Sequence, residues 1–179
     1  MCGLLGMLAA TGNVDKYVDA LERSLPCMRH RGPDAAGTWH DGDAAFGFNR
    51  LSIIDLEYSH QPLRWGPEDQ PDRYAMTFNG EIYNYVELRE ELKGLGYTFH
   101  TEGDGEPIVV GYHHWGKDVV NHLRGMFGIV IWDTHTKTMF AARDQFGIKP
   151  LYYATTEAGT VLASEMKCIL EMADEIGLE

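Results

Sequence analysis

MCGLLG, residues 1–6, places a cysteine directly behind the first methionine and a glycine after it. Removal of Met1 would leave Cys2 with a sulfur nucleophile on its side chain and a free amine on its own backbone. An α-amine titrates near ~7.7–8.0, far below lysine, so much of it is neutral at cytoplasmic pH. One residue then supplies both the attacking thiol and the base that takes its proton. The competing reading is a buried, inert cysteine, the commoner fate of that residue type. Gly3 would permit close approach of a substrate backbone.

Composition narrows the field. The 179 residues suffice for one compact domain with a sizeable core, and 44% of them are hydrophobic. A formal charge of -12 argues against a phosphate-binding surface, since nucleic-acid binders show a basic stripe. No apolar run is long enough to span a bilayer. The apolar start has no Lys or Arg before it and is interrupted at Gly12-Asn13, unlike a secretory signal. Three cysteines, Cys2, Cys27 and Cys168, do not make a disulfide framework. These features together predict a reducing, cytoplasmic setting without nucleic acid or membrane.

Periodicity predicts the elements. Gly3 to Ala10 reads as a buried strand, and Val14, Val18, Leu21 and Leu25 mark one face of a helix. RHRGPD, residues 29–34, ends that helix. Asp41-Gly42 joins strands at 37–40 and 44–49. RLSIID reads as a short apolar element, and the Pro-rich stretch from His60 to Arg73 as a loop. Tyr74 to Phe78 is a strand running into a tight turn at Asn79-Gly80, the commonest turn pair. Tyr85, Leu88, Leu92 and Leu95 give a second helix stopped at Gly96. A third spans Asp104 to Trp115, with Pro107 in its first turn. Strands follow at 126–132, 139–142, 151–154 and 160–163, then a short helix in SEMKCILEM. Many strands with few helices predict antiparallel sheets covered by helices, an α+β arrangement.

Few other residues invite chemistry. His113 and His114 are adjacent on a helix and point to different faces, whereas metal ligands on one helix want a spacing of three or four. Both read as surface or packing residues, and Cys27 and Cys168 as core. Neither GxGxxG nor GxxxxGK[ST] occurs, so no phosphate cradle is visible. FNGEIYNY, residues 78–85, is different. The Asn79 amide and the Gly80 N–H are two donors that could meet one oxyanion, as acyl transfer requires, with Glu81 at the mouth of the same turn.

MCGLLG, RHRGPD, FGFNRLSIIDLEYSHQP (46–62), FNGEIYNY, LRGMFGIVIWD (123–133), RDQFGIKPLYY (143–153) and ASEMK (163–167) occur in this order. Together they resemble the glutaminase domain of glutamine-hydrolysing asparagine synthetases, a class II glutamine amidotransferase among the N-terminal nucleophile hydrolases. The resemblance covers nearly the whole chain. It implies a four-layer αββα sandwich of two antiparallel sheets flanked by helices. Cys2 would be the nucleophile and its freed α-amine the general base. Asn79, through its side-chain amide, and Gly80, through its N–H, would form the oxyanion hole. Arg50 would pair with the α-carboxylate of glutamine, a match for its planar fork. Asp104 and Glu81 would hold the α-ammonium. Leu51, Ser52, Ile53 and Ile54 would line the pocket, and RHRGPD would buttress its floor.

Two departures stand out. GDGEPIV, residues 103–109, has Gly105 and Pro107 where the family usually carries a small or hydroxylated residue and an apolar one, while Asp104 is kept. The Ser-Gly-Gly pyrophosphate loop of the ATP- and aspartate-binding synthetase domain is absent. The expectation is therefore the glutaminase half-reaction, without metal or organic cofactor. ATP and magnesium belong to a synthetase domain in cis or trans, and self-association is allowed. The rivals are a glutamine-binding or regulatory module without hydrolysis, a glutaminase domain of another amidotransferase, and a protein-interaction domain.

Overall fold

The computed structural model describes residues 2–51 and 60–179. The chain divides into two compact units, residues 1–51 with 149–179, and residues 52–148.

The first unit is a five-stranded antiparallel sheet of order β2-β3-β1-β9-β8. Its strands are β1 (Gly3–Ala9), β2 (Ala35–His40), β3 (Ala44–Arg50), β8 (Tyr152–Thr156) and β9 (Gly159–Ala163). Helices α1 (Asp15–Ser24), α4 (Met166–Leu170) and α5 (Ala173–Ile176) accompany it, with a 3-10 turn at Leu25–Met28 where Pro26 follows α1. Alternate residues of β1, namely Leu5, Met7 and Ala9, meet Val14, Tyr17, Leu21, Cys168, Ile169 and Met172 in one core. That alternation is the period-2 pattern of a strand packed on helices. Leu21 is fully buried, and truncating such a leucine costs about 2–5 kcal/mol.

The second unit is a four-stranded antiparallel sheet of order β4-β5-β6-β7. It comprises β4 (Leu63–Trp65), β5 (Tyr74–Ile82), β6 (Gly125–Asp133) and β7 (Thr138–Arg143), with α2 (Tyr85–Gly94), α3 (Glu106–Trp115) and a 3-10 turn at Gly116–Asn121. Met76, Phe78, Ile82, Ile129 and Ile131 pack against Leu88, Leu92, Ile108 and Val109. Gly96 ends α2 with φ +97, and Pro107 sits in the first turn of α3, as the sequence signals. His113 is a packing residue and His114 a surface one: their Nδ1 atoms lie 3.1 Å and 3.0 Å from the hydroxyls of Tyr74 and Tyr97. Among the described residues, no helix is long and apolar enough to cross a membrane.

Two expectations need correction. The stretch from His60 to Arg73 is not all loop, because β4 pairs Leu63 with Met76 and Trp65 with Tyr74. Three residues between Pro62 and Gly66 are too few to show a period, yet Leu63 and Trp65 are buried. Asn79-Gly80 is not a turn. β5 runs straight through it to Ile82, with Asn79 opposite Gly128 and Gly80 opposite Phe127. Glycine is required at 80 by close approach: a Cβ there would lie 2.2 Å from the Met126 carbonyl oxygen and 2.8 Å from Phe127 Cα. Glu81 accordingly continues the strand and marks no turn.

Candidate active site

The residues singled out from the sequence fall on both units. Cys2, Arg50 and Leu51 belong to the first. Cys2 precedes β1, and Arg50 is the last residue of β3, whose register sets Gly3 opposite Asn49. The Leu51 N–H donates to Cys2 Sγ at 3.5 Å, and the thiol donates back to the Leu51 carbonyl at 3.6 Å. Cys2 is half-buried, and among the described residues its sulfur's hydrogen-bond partner is this peptide, not a histidine. A cysteine–histidine arrangement therefore has no support. Arg50 is buried, with its backbone carbonyl accepting the Asp34 N–H at 3.1 Å. Ser52, Ile53 and Ile54 lie outside the described residues.

Asn79, Gly80, Glu81 and Asp104 belong to the second unit. In an antiparallel strand the N–H and C=O of one residue point to the same side, and those of its neighbour to the other. Phe78 N–H and C=O both engage the Gln61 side chain, at 3.2 Å and 2.8 Å. The Ile82 N–H, four residues on and on the same side, donates to Asp104 Oδ2 at 2.9 Å. Gly80 lies between them with the same sidedness. Its partner across the ladder, Phe127, spends its own N–H and C=O on Asp144. Gly80 N–H is thus left at the strand's edge, flanked by two satisfied neighbours, without a partner among the described residues.

Asn79 is fully buried, and neither its Oδ1 nor its Nδ2 has a hydrogen-bond partner among the described residues. A buried amide so left costs about 1–3 kcal/mol, which stability alone would not retain. It shares a strand face with Glu81, opposite the helix-side core holding Phe78 and Ile82. Two consecutive residues therefore carry two unpaired N–H donors, one amide and one peptide.

Asp104 is placed by residues that sequence reasoning missed. Arg89, buried on the otherwise apolar face of α2, donates to the carbonyls of Thr101 and Gly103 at 2.5 Å and 2.7 Å. The buried Glu106 carboxylate accepts the N–H groups of His100 and Thr101 at 2.8 Å and 2.7 Å. An arginine at a helix position that ought to be apolar was the available signal. Burial pushes the Asp104 carboxyl above its ordinary range. The Ile82 and Asp104 N–H groups oppose that shift, and the neighbouring Glu81 charge adds to it. An anion held this way gains from a cationic partner. Among the described residues, no group of three or more His, Cys, Asp or Glu could hold a metal ion.

Two antiparallel sheets, each with helices, match solved structures across 98% of the chain. A glutamine phosphoribosylpyrophosphate amidotransferase from Bacillus subtilis superposes with a TM-score of 0.71 at 21% identity, over 44% of its own chain. An allosteric regulatory enzyme of purine biosynthesis gives 0.76 at 20%, over 43%. The fold is the α+β fold of the N-terminal nucleophile hydrolases. The chain belongs to the glutamine amidotransferase domain family, whose model matches residues 1–177. A Mycobacterium tuberculosis protein that carries the name asparagine synthetase (glutamine-hydrolysing) is 54% identical over all of this chain and 29% of its own length. Asparagine synthetase (glutamine-hydrolysing) 1 of Bacillus subtilis is 41% identical over all of this chain and 28% of its own. The chain thus spans less than a third of these relatives' length.

Proposed function

We propose that this domain hydrolyses the side-chain amide of L-glutamine through a thioester on Cys2. The Cys2 sulfur attacks the amide carbon as the α-amine takes its proton, and the oxygen becomes an oxyanion held by Asn79 Nδ2 and the Gly80 N–H. Collapse breaks the C–N bond, and the proton on the amine passes to the leaving ammonia. Water then attacks the thioester, and glutamate leaves as the thiol is restored. Arg50 holds the substrate α-carboxylate. Asp104 and Glu81 hold its α-ammonium, and Leu51 is a further substrate contact. No metal or organic cofactor takes part.

The observation that carries this reading is the unpartnered Asn79 amide beside the unpartnered Gly80 N–H. Among the described residues nothing in packing explains two adjacent idle donors, whereas an oxyanion does. The relatives named above extend the proposal: the ammonia serves asparagine synthesis by a synthetase domain that binds ATP, magnesium and aspartate, in a cytoplasmic setting. A glutaminase assay of the chain and of Cys2→Ala tests it, once intact mass shows the first residue to be Cys2. The reading requires ammonia release that Cys2→Ala abolishes. Glutamine binding with no release would make the domain a sensor instead.

A further inference from the structure

Two stretches, RHRGPD and ASEMK, have no part in the chemistry above, yet the fold ties them together. Both lie in the first unit. Glu165 is extended, at φ -129 and ψ 125, at the N-terminus of α4, where its side chain makes no cap. Its Oε1 instead accepts the Arg31 Nε–H at 2.5 Å and lies 3.3 Å from His30 Nε2, while Lys167 Nζ is 3.9 Å from Oε2. The Arg31 side chain is 12% exposed and that of Glu165 22%, so solvent screens the pair only partly. Burial works against the Glu165 charge, but Arg31, Lys167 and His30 outweigh it and hold the carboxyl below its ordinary range.

The next residue, Gly32, lies on the end of β3. A Cβ there would stand 2.2 Å from the Asn49 carbonyl oxygen and 2.6 Å from Arg50 C. Asp34 N–H then bonds the Arg50 carbonyl at 3.1 Å. The loop thus grips the Arg50 backbone from both sides of Pro33. Ser164, just before Glu165, is equally committed: its hydroxyl accepts the Leu4 N–H at 3.1 Å, and its own N–H donates to the Leu4 carbonyl at 2.9 Å. The β1–β9 register ends at Leu5 opposite Ala163, so the Ser164 hydroxyl extends that pairing towards Cys2.

We infer that Glu165 is a positioning residue for glutamine capture: through Arg31 and Gly32 it fixes the end of β3 and so the direction of the Arg50 guanidinium. This rests on the reading of Arg50 as the carboxylate clamp. Misplacing a binding group by about 1 Å can weaken its action by as much as ~10²-fold, so a partial shift predicts a smaller loss.

The test uses the whole chain and four variants: Glu165→Gln, Arg31→Ala, their double variant, and Arg50→Ala. Glu165→Gln keeps the side-chain size and removes the charge, and a cooperative thermal transition shows that each protein is folded. The expected result is a glutamine KM raised about tenfold by Glu165→Gln with kcat within twofold. The double variant should be no worse than Arg31→Ala, because one link has already been cut. Where Arg31→Ala fails to fold, Arg31→Lys takes its place. An unchanged KM in Glu165→Gln overturns the inference, as does a fall in kcat alone or a multiplicative double variant. If Arg50→Ala itself leaves KM unchanged, the clamp reading fails, and the inference with it.

Discussion

Asp104 accepts the Ile82 N–H at 2.9 Å, and in doing so satisfies the last edge donor of β5, while Gly80 N–H two residues before it has no partner among the described residues. A carboxylate and an unused donor are thereby set at the end of one strand, with the Asn79 amide beside them.

Asn79→Ala should lower kcat by about 10²–10³-fold, the usual effect of losing one oxyanion donor. Because the amide is buried and unpartnered among the described residues, its removal should leave the melting temperature unchanged or higher. Steady-state kinetics and calorimetry on the same sample check both halves. A fall in kcat matched by a large loss of stability would assign Asn79 to the framework instead.

Gly80→Ala should act through the backbone. The added carbon collides with Met126 and Phe127, whose positions the β5–β6 pairing holds. Overpacking of this kind costs about 1–3 kcal/mol. The urea midpoint should fall with ammonia release, and a variant as stable and active as the parent would contradict the register described.

Asp104→Asn separates function from stability. Burial raises the Asp104 carboxyl, so the folded state binds its proton more readily than the unfolded state does. The group stabilises the fold below the ordinary carboxylate pKa, and that contribution is lost as pH rises through the raised one. At neutral pH the amide variant should therefore melt no lower than the parent. Its glutamine KM should nevertheless rise about 10–100-fold, the worth of a charged hydrogen bond. In the parent, KM should climb as pH falls through the raised pKa, and a flat profile in both proteins would remove Asp104 from the substrate head.

Asp133 titrates in the opposite sense. Burial acts to raise its carboxyl. The Arg73 bonds at 3.0 Å and 2.7 Å and the turn N–H groups of His135 and Thr136 prevail, lowering it from 3.8 to about 2. Its stabilisation is present above the ordinary value and disappears as pH falls through about 2. Melting temperature should drop across that window in the parent and far less in Asp133→Asn. Parallel curves would show that the pair contributes nothing there.

Local chemistry reaches far in this chain. The β1 strand, the α1 helix, the Asp41-Gly42 hairpin and the stop at Gly96 were all readable, because each depends on a side-chain period or on a glycine's conformational freedom, although α1 buries Tyr17 and Ala20 and leaves Val18 half-buried. Cys2, Asn79 and Gly80 were readable as candidates because their chemical types suit acyl transfer, whereas Arg50 and Asp104 were singled out only by the family resemblance. What residue order alone could not decide was the meaning of Asn79-Gly80. The same dipeptide suits a turn or a strand, and only the approach of Met126 and Phe127 across β6 makes it a strand. The short β4, the burial of Arg89 and the grip of Glu165 on Arg31 likewise depend on partners well separated along the chain. Pairing across such separations carries no local period. It is set by which backbone and side-chain groups the packed sheets leave in need of one another.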